Sequence, residues 1–328
     1  MSIQLHTKDL AVGYRIKRRD VLIIDHLNVQ LMAGKLVCFM GPNGVGKSTL
    51  LRTLCGVQRP LRGGVFIQDK AIESIQKDVL ARKISVVLTD PVYIGNITVR
   101  ELVSFGRYPY TGWNMNFSPE DARIIDRAIK ETQLQPIADT KLAELSDGQR
   151  QKALIARALC QDTDIIILDE PTAHLDLNNR VEIINLLKHL SRQTGKAIVM
   201  ATHELDLALQ TADELWIVGF DKKLQVGFPE DLVLNGKVDH VFQLKGFDLR
   251  TGHLEKRKSK RNVSLTGESE GHYLLWTKNA LERNGYGIDP ENDFTIETMV
   301  TSDKAYWKIN EGVTLDSLEK LIQYLDQL

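Results

Sequence analysis

The sequence predicts an α/β fold with a mostly parallel sheet. Strand-like apolar runs alternate with helix-like segments, and this order is typical of parallel strands joined by helices. The run Asp164–Leu168 is almost continuously apolar, as expected of a strand that is buried on both faces. A glycine-rich turn joins the strand Leu36–Met40 directly to a helix over residues 48–55. The other predicted strands are Leu5–Gly13, Ile84–Leu88, Ala197–Ala201 and Leu215–Val218, and the other helices are 178–192 and one from about Leu205.

A helical insertion is predicted between the strands Ile84–Leu88 and Asp164–Leu168. Apolar residues recur there at intervals of three and four, for example at Val99, Leu102 and Val103. We therefore expect a helical subdomain over about residues 90–160.

The sequence changes character near residue 256, where a basic cluster at 256–261 is interpreted as a linker or an exposed strand end. Beyond it we expect a strand over Tyr273–Trp276 and a helix capped by Thr277 and stopped by Gly285. Strands at 294–300 and 304–309 and a helix after Thr314 follow. The apolar face of that last helix would hold Leu315, Leu318, Ile322 and Leu325. The chain thus divides into a main domain, 1–258, and a small α+β C-terminal extension, 259–328.

The composition is that of an ordinary globular protein. Of 328 residues, 43% are hydrophobic and 26% are charged, and the formal net charge of −1 gives no reason to expect a nucleic-acid partner. No apolar run approaches the roughly 20 residues that a membrane-spanning helix needs, and the first residues lack the layout of a signal peptide. The three cysteines have no metal-like spacing, which favours buried, reduced thiols in a cytosolic protein.

A phosphate-binding loop is predicted after the strand Leu36–Met40. The segment fits the pattern G-x-x-x-x-G-K-[ST], in which glycines let backbone N–H groups surround phosphate oxygens. Lys47 would reach the β- and γ-phosphates, and the Ser48 hydroxyl would hold Mg²⁺. We expect ATP to contact Gly41, Pro42, Asn43, Gly44, Gly46, Lys47, Ser48 and Thr49.

Two adjacent carboxylates follow the apolar strand that ends at Leu168. Asp169 would enter the Mg²⁺ shell, and Glu170 would orient or deprotonate the attacking water. The alternative is a core strand that ends in two solvated acids, and the phosphate-binding loop makes that alternative the weaker one.

Between these motifs, Leu145-Ser146-Asp147-Gly148-Gln149 resembles the LSGGQ signature of the ABC ATPases. A helix that begins at this turn would point its positive end at a phosphate. The resemblance implies that Ser146, Gly148 and Gln149 contact ATP held by a second copy, so that the chain works as a homodimer.

Other motifs extend the resemblance over roughly residues 3–255. Ala173–Asp176 resembles the family's D-loop, which implies that Asp176 lies at the dimer interface near nucleotide. Thr202-His203-Glu204 resembles the switch-histidine segment, which implies that His203 contacts the γ-phosphate. Together with Lys47 and Glu170, His203 completes the expected catalytic set. Tyr14 matches the aromatic residue that stacks on adenine, although a role in the core or on the strand surface is the alternative.

Two positions depart from the family pattern. Thr89-Asp90 stands where the family has a glutamine that binds Mg²⁺ and communicates with the membrane subunit, so Thr89 becomes the candidate metal ligand. Asp147 replaces a glycine, and its carboxylate would repel a phosphate unless it turns away.

The segment Thr98–Tyr110 resembles a segment found in the ATPases of iron–siderophore, haem and vitamin B12 importers. The resemblance implies a subunit of an importer for iron complexes, located in the cytoplasm on the inner face of the membrane. Its partners would be polytopic permease subunits and, indirectly, a substrate-binding protein. The alternatives are an importer of vitamin B12 or another metal chelate, a soluble ABC ATPase without a transport role, and a module that binds ATP without hydrolysing it.

Overall fold

The computed structural model describes residues 2–17, 19–88, 96–111, 116–242, 247–248, 253–254, 260–267, 272–301, 304–310 and 312–328. These belong to two compact units, Met1–Gln243 and Leu244–Leu328. No helix within the described ranges is both long enough and apolar enough to cross a bilayer. The candidate metal ligand Thr89, its neighbour Asp90 and most of the basic cluster lie outside the described residues.

The strands of the first unit are β1 (Ile3–Ile16), β2 (Arg19–Leu27), β3 (Gln30–Met32), β4 (Leu36–Met40), β5 (Arg62–Ile67), β6 (Lys70–Ala71), β7 (Ile84–Val87), β8 (Ile165–Asp169), β9 (Ala197–Ala201), β10 (Glu214–Val218) and β11 (Leu224–Gly227).

Its helices are α1 (Lys47–Leu54), α2 (Lys77–Leu80), α3 (Val99–Ser104), α4 (Tyr108–Thr111), α5 (Pro119–Glu131), α6 (Asp147–Cys160), α7 (Leu177–Thr194), α8 (Leu205–Thr211), α9 (Pro229–Leu234) and α10 (Lys237–Phe242). Short 3₁₀ turns occur at Ile72–Ser74, Phe105–Arg107, Gln135–Ile137 and Leu142–Glu144.

The central sheet of this unit has the strand order β11-β10-β4-β9-β8-β7. All neighbouring pairs are parallel except β10 and β11, which confirms the α/β prediction. Strands β4, β9 and β8 are adjacent, so their carboxyl ends lie side by side at one edge. In such sheets, ligands bind at the carboxyl edge of the strands.

A second sheet in this unit is antiparallel, with the order β2-β1-β5-β6 and β3 paired to β1. The sequence pattern located β1 but not this sheet, because cross-strand pairs such as Tyr14 with Val21 depend on register and not on the local apolar run. Buried side chains of both sheets, including Leu10, Ile24, Phe39 and Trp216, share one core with α1.

The second unit contains β12 (Phe247–Asp248), β13 (His253–Leu254), β14 (Arg261–Gly267), α11 (His272–Arg283), β15 (Tyr286–Ile288), β16 (Thr295–Thr301), β17 (Lys304–Ile309), β18 (Val313–Leu315) and α12 (Leu318–Asp326). Its main sheet has the order β15-β14-β16-β17-β18. A small core of its own, which includes Leu281, Ile296 and Trp307, agrees with the predicted α+β composition.

Three expectations for the second unit were wrong. Residues 273–276 belong to α11 and not to a strand, and Thr277 lies inside that helix and not at its cap. The Thr277 hydroxyl accepts a hydrogen bond of 2.7 Å from the buried Trp307 indole, so this segment packs against β17 as a helix. The last helix begins at Leu318 after the N-cap Ser317, because residues 313–315 pair as β18.

Candidate active site

The turn between β4 and α1 has the backbone of an anion-binding loop. Gly44 and Gly46 have φ angles of +77° and +104°, a conformation that side chains disfavour. At Gly41, a Cβ atom would lie 2.4 Å from the carbonyl oxygen of Val218 on β10. Glycine is therefore required at three of the predicted phosphate-contact positions, and the exposed tip of the loop is formed by Asn43 and Gly44.

Lys47 lies across this loop with only 6% of its surface exposed. Its ammonium group donates hydrogen bonds to the carbonyls of Gly41 at 3.0 Å and Pro42 at 3.4 Å. Burial lowers the pKa of Lys47, and the nearby carboxylates of Glu170 and Asp169 oppose that shift. A phosphate group would give this ammonium a stronger, charge-assisted partner than the two carbonyls.

Asp169 ends β8 beside the start of α1. Burial raises its pKa, and a hydrogen bond from the side chain of Ser48 opposes the shift. The two groups offer adjacent hard oxygen ligands, which suit Mg²⁺ when substrate phosphates complete the shell. The predicted pair of metal ligands is thus brought together by the packing of α1 against β8.

Glu170 and His203 converge from neighbouring strands. Asp169 on β8 is in register with Ala201 on β9, so the residues just beyond these two strand ends come together. His203 Nε2 lies 2.5 Å from Glu170 Oε1, and both side chains are only partly exposed. Glu170 has a φ angle of +49°, and its N–H donates to the Ala201 carbonyl at 3.1 Å. The contact brings together the two side chains that the sequence predicts to act on the attacking water.

Tyr14 lies near α1, the helix that follows the phosphate loop. Its phenol oxygen is 2.5 Å from the hydroxyl of Thr49 on α1, and 42% of the residue is exposed. The structure therefore joins the predicted adenine-contacting residue to the last predicted phosphate-contact residue, with part of the ring left accessible.

The signature turn forms the N-terminus of α6. Ser146 caps this helix, and its hydroxyl and N–H form reciprocal hydrogen bonds with the N–H and side chain of Gln149. The Asp147 carboxylate turns toward the Arg150 guanidinium, at 3.4 Å, which partly neutralises its charge. A Cβ atom at Gly148 would meet the side-chain oxygen of Asn179 at 2.4 Å.

Asp176 caps α7 and is linked to the signature turn through Asn179, which lies close to Gly148. Its carboxylate accepts hydrogen bonds from the N–H and the side-chain amide of Asn179, at 2.9 and 2.8 Å. The predicted residues thus form two groups. One surrounds the phosphate loop at the ends of β4, β8 and β9, and the other joins Ser146, Gly148, Gln149 and Asp176 across the starts of α6 and α7.

Sequence reasoning missed the residues that connect these segments. Asn179 lies close to Gly148 and donates to Asp176, while Arg180 binds both the Leu175 carbonyl and the Glu204 carboxylate. The Asp-x-x-Asn spacing at 176–179 could have predicted a capped helix start. No local pattern could have predicted the contacts to Gly148 and Glu204.

The Gly106-Arg107 sequence after α3 is explained by its packing against α6. A Cβ atom at Gly106 would lie 2.4 Å from the Arg157 carbonyl of α6. The buried Arg107 forms an ion pair of 2.8 Å with Asp121 and donates to the Cys160 carbonyl at 3.1 Å. The Gly-Arg sequence therefore fastens this segment to the C-terminal end of α6.

Two family models match the chain. Residues 24–173 match the model described as ABC transporter, and residues 259–326 match the model described as Iron ABC transporter C-terminal domain.

Relatives of known name are similar over most of the chain. The probable siderophore transport system ATP-binding protein YusV of Bacillus subtilis (strain 168) is 38% identical over 240 residues, 73% of this chain and 86% of that protein. The cobalamin import ATP-binding protein BtuD of Halobacterium salinarum is 33% identical over 266 residues, 80% of this chain and 66% of that protein.

Solved structures share the fold. A putative metal-chelate type ABC transporter in an inward-facing conformation has a TM-score of 0.64 at 26% identity, covering 74% of this chain and 90% of that chain. The dimeric ATP-binding cassette MJ0796, in a post-hydrolysis state with ADP and Pi, has a TM-score of 0.59 at 27% identity, covering 69% of this chain and 98% of that chain.

Proposed function

Because the chain belongs to the family of ABC transporter ATP-binding proteins, whose members bind and hydrolyse ATP, we propose that it powers the import of iron complexes through a separate membrane permease. The observation that carries the hydrolytic role is the 2.5 Å contact of His203 with Glu170 beside the phosphate loop. The proposal assigns the nucleotide-binding domain to residues 1–258 and treats 259–328 as an extension.

Hydrolysis would begin with ATP on the loop at 41–49. Its phosphates would replace the Gly41 and Pro42 carbonyls as partners of the Lys47 ammonium. The Tyr14 ring would stack on the adenine. Mg²⁺ held by Ser48 and Asp169 would neutralise charge on the β- and γ-phosphates. Thr89, which the resemblance also suggests as a ligand, is proposed on sequence alone.

The Glu170–His203 pair would then direct the chemical step. Glu170 accepts a proton from a water molecule while the water oxygen attacks the γ-phosphorus in line. The bond from the γ-phosphorus to the β,γ-bridging oxygen breaks, and ADP leaves with that electron pair. His203 contributes by holding the water and the γ-phosphate in a single geometry.

We propose further that the working unit is a homodimer. Ser146, Gly148, Gln149 and Asp176 lie together at the starts of α6 and α7, and the amides at the start of α6 suit an anion. ATP would bind between the loop of one copy and this group of the other. The dimeric arrangement of the related cassette supports this proposal.

The membrane-facing side would include the segment around Arg107. Phe105, Tyr108 and Tyr110 are all more than one-third exposed, whereas the adjacent Arg107 is buried. Exposed aromatic side chains on a rigid support suit a protein interface. We infer that they meet a polytopic permease on the cytoplasmic face, which a substrate-binding protein supplies from the other side.

The match of residues 259–326 to an iron transporter domain and the siderophore relative support iron complexes as the cargo. The cobalamin relative makes a corrinoid the second candidate. Uptake of ⁵⁵Fe-loaded siderophore or haem and of ⁵⁷Co-cobalamin should be compared in cells with and without the chain. We expect loss of iron uptake alone, and loss of cobalamin uptake alone would replace the cargo assignment.

The hydrolytic role has an independent test. Purified chain should release phosphate from MgATP and co-purify with a polytopic membrane protein. Absence of phosphate release both with and without that membrane partner would contradict the proposal.

A further inference from the structure

Arg180 and Glu204 form an ion pair outside the residues to which a role has been given. Arg180 Nη1 lies 3.0 Å from Glu204 Oε1, and the side chains are 35% and 27% exposed. Arg180 Nε also donates to the carbonyl of Leu175 at 2.7 Å. One guanidinium therefore joins the turn that precedes α7 to the segment that follows β9.

Arg180 is placed against the preference of its own helix, and Glu204 does not cap the helix that it precedes. Arg180 lies in the first turn of α7, where the positive end of the helix dipole disfavours a cation. Glu204 is the N-cap of α8, yet its side chain makes no capping hydrogen bond. The pair therefore caps neither helix, and its consequence lies in what it joins.

The pair closes a ring of contacts around Glu170. The Ala173 N–H donates to the Glu170 carbonyl at 3.1 Å, and this begins the turn that leads to Leu175. From the Leu175 carbonyl the ring continues through Arg180 to Glu204, which directly follows His203 in the chain.

The ring ends where it began, because the His203 imidazole lies against the Glu170 carboxylate. Glu170 and His174 both have left-handed backbones, with φ angles of +49° and +65°, so this turn adopts a conformation that L-residues rarely choose. Contacts on both sides must hold it in place.

We infer that Arg180 is a positioning residue for ATP hydrolysis. By binding the Leu175 carbonyl and the Glu204 carboxylate at once, it fixes the segment that carries His203 relative to Glu170. The inference rests on the roles proposed above for Glu170 and His203.

The test measures kcat, KM and ATP affinity in full-length variants. Arg180→Met should lower kcat about 10- to 100-fold, because a displacement of the order of 1 Å in a catalytic group has that effect. KM and the Kd for ATP should remain within about twofold, since the contacts of Arg180 described above are to Leu175 and Glu204 and not to the phosphate loop. Arg180→Lys should lower kcat as well, because an ammonium cannot reproduce the two-point geometry of the guanidinium.

A double-mutant cycle tests whether Arg180 acts through Glu204. Glu204→Gln should lower kcat, and Arg180→Met/Glu204→Gln should be no slower than the slower single variant. The matched control is Arg192→Met on the same helix, whose exposed guanidinium lies 3.4 Å from Asp213. Its kcat should equal that of the unchanged chain.

The outcomes separate this inference from the proposed function. An unchanged chain that releases no phosphate contradicts the proposed function itself. If the unchanged chain is active, three results would overturn only the role of Arg180. The Arg180→Met variant keeps its kcat, it weakens ATP binding in parallel with kcat, or its effect on kcat adds independently to that of Glu204→Gln. If Arg180→Met does not fold, Arg180→Lys at an unchanged melting temperature decides the matter by the same criteria.

Discussion

Gly148 lies so close to Asn179 that a Cβ atom at position 148 would come within 2.4 Å of the Asn179 side-chain oxygen. The same carboxamide donates to Asp176 at 2.8 Å. The start of α6 and the cap of α7 therefore share one side chain. The glycine of the signature turn is needed for this close approach as well as for any contact with a phosphate.

Gly148→Ala should slow ATP hydrolysis with little loss of stability. The added methyl group would turn Asn179 away from Asp176, and this half-buried side chain can still move toward solvent. We expect kcat to fall about tenfold, as for other small displacements near a site, and the melting temperature to change little. Gly312→Ala is the control, since a Cβ atom there meets open space. In an Asn179→Ala background the same change should have almost no further effect, and a full additional loss would contradict this explanation.

Glu170→Gln should bind ATP and form the dimer but scarcely hydrolyse ATP. Gln keeps the size of the side chain while removing the base, and the loss of a general base slows a reaction by about 10²- to 10⁴-fold. Phosphate release and size-exclusion chromatography with ATP measure the two properties. Glu182→Gln, on the exposed side of α7, should behave as the unchanged chain. Robust turnover by Glu170→Gln would remove Glu170 from its proposed role.

Arg107→Met should destabilise the first unit by about 3 kcal/mol. The substitution leaves the Asp121 carboxylate buried without its guanidinium partner, and breaking a buried pair has a cost of this size. It also removes the donor to the Cys160 carbonyl. Urea unfolding of the first unit measures the change in its free energy of unfolding. The exposed pair of Arg100 and Asp126 gives the control, for which Arg100→Met should cost less than about 1 kcal/mol.

The three thiols should be unreactive in the native chain. Cys38, Cys55 and Cys160 are all buried. Burial raises the pKa of each thiol, to about 12 for Cys55 and Cys160, so almost no thiolate exists near pH 8. Ellman's reagent should detect three thiols per chain in guanidinium chloride and none in buffer. Rapid labelling of the native chain would show that at least one of these cysteines becomes accessible.

Short patterns predicted the central sheet and the phosphate loop because their causes are local. A continuous apolar run indicates a strand that is buried on both faces, and Gly44 and Gly46 have the positive φ angles that the motif requires. The residues 273–276 show the limit of such patterns. Their aromatic and apolar composition favours a strand, but they form part of α11, over which Thr277 meets Trp307 of β17.

By itself, the sequence determined the α/β order and the phosphate loop, and it predicted Lys47, Ser48, Asp169, Glu170 and His203 as site residues, because each is specified by a few neighbouring residues. Only the tertiary structure decided which distant side chains meet. The antiparallel sheet, the Asn179 bridge and the Arg180–Glu204 pair depend on how strands and helix starts pack, and such packing brings together residues that no short sequence pattern relates.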